Sequence, residues 1–215
     1  MKIAGSARSK SSNRWAPIVL AIIAIAAWIA ILTGFVEGGI GIIGFVAGWT
    51  VMMVAMMLPS AMPFILLYRR GATPLATTEL AAGYLAIWSL VGIAAWVLDD
   101  KAMDVPVPLV LLMAGLYQLT PVKNACLRRC RTPADFLVER WRSNAFMLGV
   151  DHGRYCLGCC WALMAVLVVA GMMGIVWVVA IAAIVALEKL SSRGTGLARW
   201  IGAALIGLAI WNALV

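Results

Sequence analysis

Between Leu157 and Leu187 the chain runs for 31 residues without a charged side chain. As one helix that stretch would measure about 46 Å, more than a level crossing of the roughly 30 Å hydrocarbon core of a bilayer requires. The pattern recurs: apolar runs at 15–36, 42–68, 79–98, 106–119 and 197–215 are separated by short segments that hold the charges. Composition agrees, since 64% of the residues are apolar and 12% charged, against roughly 45–50% and 25% in soluble domains. The runs predict an all-α fold, a polytopic transmembrane helix bundle of six to seven spans, in a single integral membrane domain over residues 1–215 with the lipid bilayer as its solvent.

The first run, Trp15 to Val36, is 22 residues long and follows a basic N-terminus. A cleavable signal has an apolar stretch of only ~7–15 residues, so this one reads as a retained helix. Pro59 and Pro63 are expected to kink the second run, because each removes a backbone donor. The 31-residue run allows either one tilted helix or two short ones broken near Gly171 to Gly174. Phe136, Leu137, Trp141, Phe146 and Leu148 lie among polar residues over 134–150, which predicts an amphipathic helix lying at the cytoplasmic interface.

Charge placement gives an orientation. Four Lys or Arg precede the first run, two follow the second at Arg69 and Arg70, and seven lie between Lys123 and Arg154, whereas the loops after the first and third runs hold one lysine between them. Basic loops stay on the cytoplasmic side, so the N-terminus is expected there. The net charge of +8 is accounted for by these loops, and no nucleic-acid partner is expected. Glu188 and Lys189 read as the interfacial end of the fifth run.

The chemistry concentrates on sulfur. In His152-Gly-Arg-Tyr-Cys156-Leu-Gly-Cys159-Cys160-Trp-Ala-Leu-Met164, residues His152, Cys156, Cys160 and Met164 are four apart and share one helix face, with Cys159 beside them. Thiolate and thioether favour Cu(I), and imidazole accepts copper or zinc, so this stripe is a candidate site for a transition metal, copper first. Cysteine is also a common small buried residue, but three within five positions beside the single histidine favour function. Cys126 and Cys130 form a second pair, one helical turn apart among Lys123, Arg128, Arg129 and Arg131. Positive neighbours lower a thiol's pKa, which would suit the pair to metal binding or thiol exchange. Met53, Met56, Met57 and Ser60 line one face of the second run; such a methionine stripe is either flexible core filling or the thioether part of a copper site. Tyr117 and Gln118 are candidates to support the cysteine pair.

Other chemistries lack their residues. There is no Cys-x-x-Cys-His for covalent haem and no phosphate-cradling Gly-x-x-x-x-Gly-Lys, and one histidine cannot supply a bis-histidine haem. Five cysteines without a loop-rich secreted domain do not form a disulfide framework.

Taken together, Ala55-Met-Met-Leu-Pro59-Ser60, Gly115-Leu-Tyr-Gln-Leu-Thr-Pro121-Val-Lys123-Asn-Ala-Cys126, Cys130-Arg-Thr-Pro133, the His152 to Met164 segment and Glu188-Lys189 resemble a bacterial family of predicted metal-binding integral membrane proteins of unknown function. The resemblance covers about residues 45–190 and implies a multi-pass protein of the bacterial cytoplasmic membrane. Three functions compete at this point: metal handling or metallocentre assembly with metal-carrier proteins as partners, transmembrane thiol-disulfide exchange, and a non-catalytic subunit of a membrane complex. No catalytic residue is assigned.

Overall fold

A computed structural model describes residues 15–34, 41–102, 105–140, 144–170 and 174–214. The described residues form helices and their connections: α1 Ala16–Leu32, α2 Gly41–Arg69, α3 Pro74–Ala102, α4 Val107–Gln118, α5 Pro121–Arg131, α6 Pro133–Arg140, α7 Ala145–Val169, α8 Ile175–Leu190 and α9 Gly194–Leu214. Helices satisfy every internal backbone donor and acceptor, which suits a chain with few polar side chains to do so. At two helix starts a side chain supplies a missing partner. Thr120 Oγ1 accepts from the backbone N–H of Lys123 at 3.2 Å at the start of α5, and Asn144 Oδ1 accepts from that of Met147 at 3.1 Å at the start of α7.

Among the described residues four helices are long and apolar enough to cross a membrane: Gly41–Arg69, Pro74–Leu98, Ala145–Val169 and Gly194–Leu214. That corrects the expectation of six to seven spans. Of the other apolar segments, α1 has 17 residues, α8 has 16 and α4 has 12. At 1.5 Å per residue α4 is only about 18 Å long, because Thr120-Pro121 opens a new helix where α4 would have continued. The 31-residue run is two helices, with Gly174 at the N-cap of the second; the rest of the expected break, 171–173, lies outside the described residues. The helix α2 continues through Pro59 and Pro63.

The amphipathic segment at 134–150 is also corrected. It is divided between α6, which ends at Arg140, and the first turns of α7, which the Asn144 cap starts afresh. Phe136 is fully buried and meets Phe64 of α2 edge-on at 5.5 Å, so one side of α6 packs against the protein while Val138 stays exposed. Trp141 lies outside the described residues.

The helix α7 is the central element. It packs most extensively on α3 and also touches α4, α5 and α8. The α3–α7 crossing is close because glycines meet backbone there: a β-carbon on Gly83 would stand 2.0 Å from the Phe146 carbonyl oxygen, and one on Gly149 2.0 Å from that of Leu80. Around this centre, α1 and α9 turn large apolar side chains outward, among them Ile22, Ile25, Ile29, Trp200, Trp211 and Leu214.

Candidate functional site

The helical spacing of the α7 stripe holds. His152, Cys156, Cys159, Cys160 and Met164 are all buried, each at 3% exposure or less. Their partners come from α2, α3, α5 and α8. Tyr84 Oη on α3 shares a hydrogen bond of 3.0 Å with Cys156 Sγ. Cys159 and Cys160 both turn their thiols back to the Cys156 carbonyl oxygen, at 3.1 and 2.9 Å. From α8, Lys189 Nζ reaches Cys156 Sγ at 3.0 Å, Ser60 Oγ at 3.4 Å and Met57 Sδ at 3.8 Å.

Lys189 is the residue that sequence reasoning placed elsewhere. Glu188 and Lys189 are 1% and 7% exposed, so at the end of α8 both side chains turn into the protein and not outward. Adjacent helix residues face different ways, so the two cannot satisfy each other. Glu188 turns to Lys123 Nζ at 2.5 Å and to Gln118 Nε2 at 2.9 Å, while Lys189 turns into the sulfur cluster. Two adjacent charges at the edge of a charge-free run, neither able to pair with the other, were the legible sign that each needs a distant partner. Ser60 was legible as a member of the Met53, Met56 and Met57 face, whereas Tyr84 carried no sign beyond its own helix.

The helix α5 brings the second cysteine pair onto the first. Cys130 hydrogen-bonds with Cys156 and Cys159, and these bonds with burial hold its thiol well above the ordinary range. Burial, then the neighbouring Cys159, push the Cys126 thiol up, and Lys123 only partly offsets them. The expectation that basic neighbours make both thiols acidic is therefore corrected. The nearby cations are engaged elsewhere: Lys123 with Glu188, Arg129 with Glu139, and Arg131 with the carbonyl oxygens of Ser191 and Ser192. Tyr117 donates to the Gly158 carbonyl oxygen at 2.5 Å, which ties the end of α4 to the cysteine-bearing turn of α7.

His152 is held in an aromatic box, stacked on Phe64 at 3.9 Å with the Phe136 ring edge-on at 5.3 Å. Its Nδ1 is buried without a hydrogen-bond partner. Met53 and Met56 are buried on the same helix as Met57, and Met164 lies a turn beyond Cys160, where it lines an apolar cavity of about 310 Å³ with Trp49 and Trp161. Among the described residues, no three His, Cys, Asp or Glu side chains are arranged to hold a metal ion. The donors that do converge are a thiol and a thioether around a cation, a soft set that fits Cu(I) better than a hard divalent ion.

Fold and centre together define a class, all-helical proteins with soft sulfur donors gathered in a water-excluding core. The particular family follows from comparison: residues 46–212 match the model of the PpoB2 copper chaperone family, and the chain belongs to that family. No curated protein and no solved structure matches the chain.

Proposed function

We propose that this chain is a multi-pass protein of the bacterial cytoplasmic membrane that carries Cu(I) in the cluster formed by Cys156, Cys159, Cys160, Cys130 and Met57. One observation carries the reading: the Lys189 ammonium sits deep in the molecule against Cys156 Sγ and Met57 Sδ. A buried charge is costly without an opposite partner, and Cys156 is the contacting group that supplies one as a thiolate. The pocket thus already accommodates a monovalent cation between a thiolate and a thioether. Cu(I) entering there takes the position of the ammonium head, which Ser60 Oγ helps to receive. The unpaired Nδ1 of His152 offers a further donor at the edge of the cluster.

The membrane reading is supported by the four long apolar helices and by large apolar side chains exposed on α1 and α9, a surface that water disfavours. With basic loops inside, the ends of α2 and α8, together with α5, face the cytoplasm. The cluster then lies in the cytoplasmic half of the bundle. Family membership supports handling of copper as cargo to be passed on.

The test is elemental analysis of detergent-purified protein loaded with Cu(I). Stoichiometric copper is expected in the parent protein, with loss in Cys156→Ser and in Cys159→Ser/Cys160→Ser. Copper content unchanged in both variants would overturn the reading.

A further inference from the structure

We propose that Cys126 is the portal through which Cu(I) enters and leaves the buried cluster, and that Gly158 is the residue that lets it serve. The inference rests on the copper-carrying reading above and adds a route to it. Three observations converge. Cys126 and Cys130 keep part of their surface exposed, whereas Cys156, Cys159 and Cys160 are each 1% exposed. Cys126 therefore stands at the edge of a thiol series: its neighbouring thiol is Cys159, which in turn hydrogen-bonds with Cys130 and Cys156. Finally, the Cys126 sulfur occupies the space a side chain at position 158 would need: a β-carbon there would lie 2.7 Å from Cys126 Sγ.

That close approach has a chemical use. A copper ion on Cys126 lies against the turn of α7 that holds Cys159 and Cys160, so it can pass inward without crossing apolar space. In the loading direction, the Cys126 sulfur bonds to Cu(I) of an external Cu(I)–thiolate complex. The bond from copper to the external sulfur breaks, and the proton leaving Cys126 goes to the departing thiolate. In a second exchange Cys159 Sγ bonds to the copper, the bond from copper to Cys126 breaks, and the proton leaving Cys159 returns to Cys126. Copper stays Cu(I) throughout, so neither oxidant nor reductant is needed.

A portal differs from a holding ligand in kinetics. Removing it slows entry and exit together and leaves the equilibrium almost unchanged. The experiment loads detergent-purified protein with Cu(I), mixes it with excess bathocuproine disulfonate and follows the absorbance of the copper–chelator complex. Cys126→Ser is expected to bind the parent's amount of copper but to release it about tenfold more slowly, equivalent to a barrier higher by about 1.4 kcal/mol. Gly158→Ala keeps every sulfur and pushes Cys126 aside, and is expected to slow release in the same direction. Release at the parent rate in both variants, or loss of bound copper in Cys126→Ser, would overturn the portal while leaving the copper-carrying reading intact. A parent protein that binds no copper would overturn both.

Discussion

The cysteines of α5 and those of α7 are the same functional group in two settings. On α7, Cys156, Cys159 and Cys160 sit in the middle of a long apolar helix, with Lys189 and Tyr84 directed at Cys156. On α5, Cys126 and Cys130 sit on a short basic helix at the edge of the bundle, half-buried. Charge in the sequence would assign the reactive thiols to α5, since that helix carries the arginines. The structure reverses this, because Lys123, Arg129 and Arg131 of α5 are engaged by Glu188, Glu139 and backbone carbonyls, while one lysine from another helix is aimed at Cys156. A cation affects a thiol through the partner it has chosen, and proximity in sequence does not reveal that partner.

The largest break in this comparison comes from releasing α5. Lys123 and Glu188 form a buried ion pair at 2.5 Å that joins α5 to α8 and leaves the adjacent Lys189 free to face the cluster. Removing one partner of such a pair leaves the other charge buried and unpaired, at a cost of about 3–5 kcal/mol. Lys123→Met is expected to lower the midpoint of thermal unfolding in detergent accordingly, and Lys123→Met/Glu188→Gln to recover part of the loss. If the single variant is as stable as the parent, the pair does not pin α5.

How much of this was legible divides along the same line. The α7 stripe could be read because His152, Cys156, Cys160 and Met164 obey the helix's own period, a local property. The break in the 31-residue run was readable in part, from glycines alone. What was not legible depends on partners far along the chain: Lys189 meets Met57 across 132 residues, and Glu188 meets Lys123 across 65. The segment 134–150 misled because its apolar periodicity continues across a helix boundary, and the Asn144 cap, not the periodicity, decides where α7 begins. The count of six to seven exceeds the four helices long enough to cross because the apolar runs around α1, α4 and α8 form helices of only 17, 12 and 16 residues.

A finer test separates the methionines of α2. Met57 faces the cluster and touches Lys189, while Met53 and Met56 are buried on the same helix. Exchanging Met for Leu conserves volume and costs less than about 1.5 kcal/mol of stability. Met57→Leu is therefore expected to fold normally yet bind Cu(I) about tenfold more weakly, equivalent to about 1.4 kcal/mol. Met53→Leu should bind as the parent does. Competition titration against a Cu(I) chelator checks both, and equal weakening in the two variants would show that the thioethers only pack.

The smallest effect concerns pH. Burial and the neighbouring Cys159 hold the Cys126 thiol above its ordinary value, and Cys130 is held higher still by its bonds with Cys156 and Cys159. In the unfolded chain both titrate near the free-thiol value of about 8.5. The folded state thus keeps protons that the unfolded state has lost, and stability falls as pH rises above that value. Below it both states are protonated, and these thiols contribute no pH dependence. Maleimide labelling should follow the same order: slow at neutral pH, rising for Cys126 at a pH above that of a free thiol, and rising for Cys130 only beyond that. Equal labelling of the two at neutral pH would mean that their cations do act on them after all. Faster labelling of Cys130 than of Cys126 would place the exposed end of the thiol series at the wrong residue, and with it the order in which the cluster meets its cargo.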